Sequence, residues 1–146
     1  MAAAVIRIGP ALLTDIKRAA EAAYPDECCG LLVGREEGPD GCRVDRVVAA
    51  ANMIEGDRRR GFEIDPQVQF DLLRSLRGKA DRIVGHYHSH PDHPPLPSER
   101  DLQMAFEPEL FWIIVSVDAG QAGEARGHRI DKTTGRFREV ALKTEN

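Results

Sequence analysis

The sequence lacks a net positive charge and any apolar run long enough to span a membrane. Its 20 Lys and Arg residues are outnumbered by 24 Asp and Glu residues, which gives a net charge of -4. Without a global positive field to attract nucleic-acid phosphates or an anionic membrane, we expect neither partner. The longest later apolar stretch, residues 110–117, is far too short to cross a bilayer.

The sequence predicts neither a secretory leader nor a disulfide framework. The only apolar run near the N-terminus is interrupted by Arg7 and has no basic stretch before it, so it is not typical of a signal peptide. The three cysteines, Cys28, Cys29 and Cys42, make an odd count, whereas small secreted scaffolds pair an even set. These features favour a reducing, cytoplasmic location.

What the chain does have is the composition of an ordinary globular protein. With 42% hydrophobic and 30% charged residues, it is too apolar to be disordered. Its 146 residues are enough for one hydrophobic core but not for two. We find no repeat, linker or low-complexity tract, and therefore predict one domain over residues 1–146 with one functional site.

The order of apolar patterns predicts an α/β fold. Helical stripes cover residues 10–24 and 98–106, and another helix begins at Asp65-Pro66 and ends at Gly78. Short apolar or β-branched runs predict strands at residues 28–34, 44–51, 62–64, 82–88, 111–117, 125–131 and 137–142. Because this order is neither alternating βαβ units nor all-β, we expect a mixed, largely antiparallel sheet flanked by helices.

Four of the five histidines lie between positions 86 and 93, which suggests either a metal site or a solvated polar turn. In a strand, His86, His88 and His90 project from one face because side chains alternate. The outer two would be about 13 Å apart, too far to share one metal ion. The residues alone therefore allow either neighbouring pair, 86 with 88 or 88 with 90.

A third ligand is available after the proline-rich segment 91–97, where Ser98 begins a short helix. Asp101 would lie in the first turn, near the end of the histidine strand. Two nitrogens and one carboxylate oxygen leave a fourth position for water, as in catalytic zinc sites. Taken alone, Ser98 and Asp101 are better explained as a capping pair, but a carboxylate has two oxygens and can serve both purposes.

A hydrolytic site also needs a base for the proton of its water. Glu27 opens the uncharged run Cys28–Gly34, which puts a carboxylate at the mouth of a buried strand. Its position alone favours an ordinary charged strand end. Free cysteines in such a run, Cys28 and Cys29 included, usually behave as small buried hydrophobes rather than as nucleophiles.

Together these motifs resemble those of the JAMM (MPN+) metallopeptidases. That family has an early glutamate, then His-x-His-Pro, six residues and Ser-x-x-Asp, which His88–Pro91 and Ser98–Asp101 match without a gap. The resemblance covers essentially the whole chain and implies an MPN-like domain. It also implies one zinc ion bound by His88, His90 and Asp101, and attack by a zinc-bound water. Glu27 would be the general acid and base, and Ser98 would stabilise the oxyanion.

The same resemblance implies a substrate class. Members cut peptide or isopeptide bonds after the C-terminal tails of ubiquitin-like proteins, and small bacterial relatives act on sulfur-carrier proteins. The alternative is a non-catalytic MPN scaffold, although such domains lack the ligands present here. His86 stands where many eukaryotic members have tryptophan, so we interpret it as a wall residue or a structural histidine. The run Arg58–Arg60 is either a solvated loop or a contact for an acidic partner group.

Overall fold

A computed structural model describes residues 4–145, which form seven strands and three helices. The strands are β1 (Val5–Ile8), β2 (Cys29–Glu37), β3 (Gly41–Ala50), β4 (Arg82–Pro91), β5 (Phe111–Asp118), β6 (Gln121–Asp131) and β7 (Arg136–Thr144). The helices are α1 (Pro10–Ala23), α2 (Pro66–Leu76) and α3 (Glu99–Gln103). The predicted α/β class is confirmed, and none of the helices within this range is long and apolar enough to cross a membrane.

The sheet closes on itself, which the sequence did not predict. Its strand order is β1-β3-β2-β4-β5-β6-β7, and β1 pairs in parallel with both β3 and β7. The expected open sheet, mixed, largely antiparallel and flanked by helices, is therefore corrected to a closed one. Strand β1 was missed because four residues, alternately half-buried and buried, give little periodic signal. Without β1, no strand joins the two ends of the sheet.

The strand that carries the histidines, β4, is paired along both of its edges. β4 pairs antiparallel with β2 and parallel with β5, with His88 opposite Cys29 on one side and Ile114 on the other. The approach to β5 is close, because a Cβ atom on Gly85 would lie 2.0 Å from the carbonyl oxygen of Phe111. Pairing on both edges holds the backbone of β4 rigidly and sets the direction of its side chains.

Several predicted boundaries shift. The first two helices begin where expected, at Pro10 and at Pro66 after the cap Asp65, but α3 is only five residues long rather than nine. The predicted strand at 62–64 is reduced to one isolated bridge between Asn52 and Ile64. Residues 51–65 are thus mostly irregular and form a loop, which we call the site loop because it lies against the histidines.

Candidate metal and active site

The end of β4 brings two histidine rings together. His88 is fully buried, and its Nε2 atom lies 3.0 Å from Nε2 of His90. The ring of Phe62, from the site loop, stacks on His88 at 4.3 Å between centroids. Of the two neighbouring pairs that the sequence allowed, the structure therefore joins His88 with His90.

Asp101 completes a cluster of three donor side chains. Its Oδ1 atom lies 3.3 Å from Nε2 of His88, and its Oδ2 atom lies 3.1 Å from Nε2 of His90. The same Oδ2 accepts a hydrogen bond of 2.9 Å from the backbone N–H of Ser98, while Ser98 Oγ accepts one of 3.1 Å from the Asp101 N–H. The capping box and the contact with the histidines thus coexist in one carboxylate.

The proton positions favour a cation at this cluster. Nδ1 of His90 lies 3.0 Å from the carbonyl oxygen of Pro94, which can only accept, so Nδ1 carries the hydrogen. In the neutral ring of His90, Nε2 then carries no hydrogen, and its lone pair is directed at His88 and at the Asp101 carboxylate. Donors on one tetrahedral zinc ion are roughly 3.3 Å apart when each bond is about 2.0–2.2 Å long. The two ring nitrogens and the Asp101 carboxylate agree with such an ion in chemistry and spacing, although each nitrogen approaches a different oxygen of Asp101, and an oxygen of Glu27 also lies within 4.8 Å of a ring nitrogen of each histidine.

Burial and the three-residue contact together set the pKa values of the cluster. Burial lowers the pKa of His88, although Asp101 opposes the shift. Burial is the largest single influence on His90 and acts to lower its pKa, but the hydrogen bond and charge of Asp101, the Pro94 carbonyl and the charge of Glu27 together outweigh it and raise that pKa. For Asp101, burial would raise the pKa, yet His88 and His90 together lower it well below its ordinary range. The carboxylate is therefore ionised and ready to act as a ligand.

Glu27 lies just before β2 and faces the same cluster. Its backbone N–H donates a 2.7 Å hydrogen bond to the Arg58 carbonyl, which joins it to the site loop. One carboxylate oxygen lies within 4.8 Å of ring nitrogens of His88 and His90. Only 6% of the residue is exposed, and Oε1 has no hydrogen-bond partner among the described residues. Burial is the main cause that raises the pKa of Glu27 to about 8.

Comparison with known proteins agrees with this geometry. A model of the prokaryotic homologs of the JAB domain matches residues 10–130. The chain belongs to this JAB family. It is 30% identical to a desampylase of Haloferax volcanii over 92% of this chain and 89% of the relative. It is 32% identical to a CysO-cysteine peptidase of Mycobacterium tuberculosis over 73% of this chain and 70% of the relative.

Solved structures show the same architecture as this JAB domain. A solution structure of a protein from Desulfitobacterium hafniense superimposes with a TM-score of 0.82 at 28% identity, covering 97% of this chain and 93% of the other. A JAB1/MPN domain protein from Archaeoglobus fulgidus gives a TM-score of 0.57 at 22% identity, covering 95% and 99%. The second comparison supports the fold alone.

His86 stands apart from the donor cluster of this JAB domain. Its ring packs edge-on against Trp112 at 4.1 Å and tilts toward Phe62 at 5.7 Å. Burial lowers its pKa to about 3, and its Nδ1 atom has no hydrogen-bond partner within residues 4–145. His86 also lines a cavity of about 680 Å³ beside the site, so its position agrees with a wall residue. We call it the apolar cavity for its aliphatic and aromatic wall, although four glutamates and Arg82 also line it.

Two residues that organise the JAB site were missed in the sequence. Ser89 is fully buried, and its Oγ accepts a 2.8 Å hydrogen bond from the Cys28 N–H, which ties the approach to β2 onto β4. The side-chain amide of Asn52 donates to the carbonyls of Glu27 and Gly61 at 3.1 and 3.0 Å. Ser89 could have been noticed for lying between the two histidines, but no sequence signal distinguishes Asn52.

The remaining features divide between core and surface. Cys28 and Cys29 are buried and free, as predicted, and so is Cys42. Burial raises the pKa values of Cys29 and Cys42 to about 12. These thiols are therefore protonated and unreactive at neutral pH. Of the arginine run, Arg59 and Arg60 line a second cavity at the site.

Proposed function

We propose that this chain is a zinc-dependent peptidase or isopeptidase that cuts the bond after the C-terminal tail of a ubiquitin-like or sulfur-carrier protein. One observation carries the proposal: His88, His90 and Asp101 bring two ring nitrogens and a carboxylate within 3.0–3.3 Å of one another, beside buried Glu27. Relatives named desampylase and CysO-cysteine peptidase support this substrate class.

In this proposal His88, His90 and Asp101 hold one zinc ion per chain. Two nitrogens and one carboxylate oxygen are the donors typical of catalytic zinc sites, which keep a further position open. Zinc bound there would polarise the scissile carbonyl and lower the pKa of a water molecule. The hydrogen bond from His90 Nδ1 to the Pro94 carbonyl keeps the ring oriented with its lone pair toward the site.

Glu27 would move the proton during hydrolysis. Its carboxylate is buried and lies near both histidines without contacting them as closely as Asp101 does. A pKa of about 8 is close to neutral pH, where a carboxyl group can both take a proton and return it. We propose that Glu27 accepts the proton of the attacking water and then donates it to the leaving nitrogen.

Ser98 would stabilise the negative charge that develops on the scissile oxygen. Its Oγ accepts from the Asp101 N–H, so the hydroxyl hydrogen remains available for donation to an oxyanion. Ser98 lines the same cavity as Glu27 and His90, which supports a position beside the reacting carbonyl.

The substrate tail would lie in the apolar cavity. Its walls include Phe62, Ile64, Val84, His86, Leu110 and Trp112. The site loop has one isolated bridge, between its own residues Asn52 and Ile64, and otherwise its backbone is irregular and could pair with an extended peptide. We propose that the tail binds there as an added strand, with main-chain hydrogen bonds giving affinity and the apolar wall giving selectivity.

We also propose that residues 1–146 form one domain and act in the cytoplasm. The free, buried thiols of Cys28, Cys29 and Cys42 support a reducing compartment, in which disulfides are rare.

Glu27→Gln tests the proposed mechanism. The variant should retain about one zinc per chain, because Glu27 is outside the proposed ligand set. It should lose about 10²–10⁴-fold in turnover, the usual contribution of a general acid or base. Zinc is measured by elemental analysis after zinc supplementation, and turnover on a panel of tail-extended ubiquitin-like proteins.

Glu55→Gln is a matched control, since Glu55 is an exposed glutamate of the site loop that lines neither cavity. Full turnover by Glu27→Gln would remove Glu27 from the mechanism. Wild-type protein with far less than one zinc per chain would instead favour the non-catalytic scaffold.

A further inference from the structure

The candidate site opens into a second cavity whose charged lining residues are mainly arginines, whereas those of the apolar cavity are mainly glutamates. This cavity measures about 450 Å³, and we call it the arginine cavity. Its lining includes Glu27, Arg59, Arg60, His90, Ser98 and Arg100. Three arginines thus share one cavity with the proposed base, one histidine and the proposed oxyanion donor.

Two separate segments bring the arginines together. Arg59 and Arg60 come from the site loop, whereas Arg100 comes from α3. Arg100 crosses to the loop at Gly61, where an added Cβ would lie 2.4 Å from its Nε atom. Gly61 therefore leaves the space that lets the third arginine lie beside the other two.

These charges are largely free to bind a ligand. Within residues 4–145, neither Arg59 nor Arg100 has a carboxylate oxygen within 4.0 Å. Arg60 has one partner, Asp57, at 3.9 Å, and both side chains are more than half exposed. An exposed ion pair of this length contributes little. Even with the Glu27 carboxyl group counted against the three arginines, the cavity has an excess of positive charge, and an anion is the complementary occupant.

The position of Glu27 indicates whether the tail or the leaving group of the substrate enters this cavity. A group that donates a proton to the leaving nitrogen must come within hydrogen-bond reach of it. Glu27 lines the arginine cavity and not the apolar cavity. The leaving group is therefore expected on the arginine side, and the tail on the apolar side.

On the basis of the function proposed above, we propose that the arginine cavity binds the α-carboxylate of the leaving group. The preferred substrate is then a tail extended by one amino acid, rather than a tail joined to a lysine side chain. In such an extension the carboxylate is separated from the scissile nitrogen by only one carbon. In an isopeptide the nitrogen ends a four-carbon apolar stem, which offers these guanidinium groups no negative charge.

The chemistry is an ordinary hydrolysis and needs no further reactant. The bond between the acyl carbon of the tail and the nitrogen of the added residue breaks. The oxygen of one water joins the acyl carbon, and both protons of that water end on the nitrogen, which leaves as an ammonium group. The products are a tail carboxylate and a free amino acid, whose own carboxylate is bound by a planar guanidinium fork through two hydrogen bonds.

Three forms of one substrate test the proposal. A bacterial sulfur-carrier protein ending in Gly-Gly is extended by alanine with a free carboxylate, by alaninamide, or by an isopeptide bond to lysine in a blocked peptide. Zinc-loaded wild-type protein should cleave the carboxylate form at least about tenfold faster in kcat/KM than the amide, as expected for a charge-assisted contact. The isopeptide form should resemble the amide.

The double variant Arg59→Gln, Arg100→Gln should bring the carboxylate-to-amide ratio close to one. Arg18→Gln should not, because Arg18 is an exposed arginine of α1 that lies outside the cavity. If the double variant does not fold, a fall of the wild-type ratio with added salt gives the same answer.

A wild-type ratio near one, or faster cleavage of the isopeptide form, would overturn the inference and leave the peptidase proposal intact. No cleavage of any form would instead refute the proposed function, and the inference with it.

Discussion

At the scale of single residues, the site depends on atoms that serve more than one purpose. One oxygen of Asp101 accepts from the Ser98 N–H and also lies 3.1 Å from His90. Ser89 also serves two purposes. Its buried hydroxyl lies between the two histidines in sequence and accepts a hydrogen bond from the Cys28 N–H, which helps to hold the neighbouring Glu27 in place. Substitutions here are expected to alter structure and chemistry together, which makes matched variants necessary.

His86 offers a test of an unsatisfied buried group. Because its Nδ1 atom lacks a partner, His86→Leu should leave the free energy of unfolding unchanged or raise it by about 1 kcal/mol. The control is His128→Leu, since His128 is also buried but bonds the Pro95 carbonyl at 2.9 Å. That control should lose about 1–3 kcal/mol. Urea denaturation of metal-free protein measures both, and a comparable loss in His86→Leu would contradict the prediction.

At the scale of elements, the ends of β4 and α3 are the parts that create the site. β4 is held on both edges, by β2 and β5, and it delivers two ring nitrogens with little freedom. α3 is only five residues long, so its stability depends on its cap. The start of this short helix supplies Ser98, Arg100 and Asp101, and its capping therefore affects every proposed step.

Substitutions of Ser98 separate capping from catalysis. Ser98→Ala should cost about 1 kcal/mol of stability, whereas Ser98→Gly should cost only a few tenths, because glycine tolerates the cap position. If the hydroxyl stabilises an oxyanion, Ser98→Gly should nevertheless lose about 10²–10³-fold in kcat. Zinc content checks that Asp101 keeps its place. A glycine variant with wild-type turnover would reduce Ser98 to a helix cap.

Gly85 tests the close pairing of β4 with β5. An added methyl group would meet the Phe111 carbonyl oxygen at 2.0 Å, so Gly85→Ala should destabilise the protein by about 1–3 kcal/mol or more. Gly9→Ser is the control, because its Cβ would be 3.7 Å from the nearest heavy atom and its hydroxyl could cap α1. Urea midpoints should fall for the first and hold or rise for the second.

At the scale of the whole molecule, closure of the sheet creates one main core. Strand β1 supplies Ile6 and Ile8, which are almost fully buried with Ile113 and Val115 of β5. Cys42 of β3 belongs to the same cluster and is fully buried. The core therefore joins residues from distant parts of the chain. Because the Cys42 thiol is buried in this core, it becomes exposed to solvent only when the fold opens.

The raised pKa of the Cys42 thiol predicts that the protein loses stability at alkaline pH. Burial raises the pKa of its thiol from near 9 to about 12. Between these values the unfolded chain releases the proton while the folded chain keeps it, so stability falls as pH rises above 9. At pH 10.5 this amounts to about 2 kcal/mol for one thiol.

Urea midpoints at pH 8 and pH 10.5 measure the effect. Cys42→Ala should lose about 2 kcal/mol less than wild type between the two pH values, whatever its stability at pH 8. Parallel losses in the two proteins would show that the thiol already ionises in the folded state.

The sequence by itself determined the local elements and the family. Helices starting at Pro10 and Pro66 and the strand leading into His88 follow from caps, prolines and side-chain alternation, which act over a few residues. The spacing from His88 to Asp101 pointed to the JAMM (MPN+) metallopeptidases, and the match to the JAB-domain family model confirms that resemblance. Without the resemblance, however, the residues allowed either of two histidine pairs as metal ligands. The position of Glu27 alone predicted only an ordinary charged residue at the end of a strand.

Tertiary structure decided which of these residues meet. Strand register brings Glu27 to His88 across 61 positions of sequence, and it turns His86 toward Trp112 instead of toward the donor cluster. Pairing of β1 with β7 closes the sheet, and the crossing of Arg100 to Gly61 assembles the arginine cavity. Such contacts depend on packing between distant segments, which local periodicity does not encode.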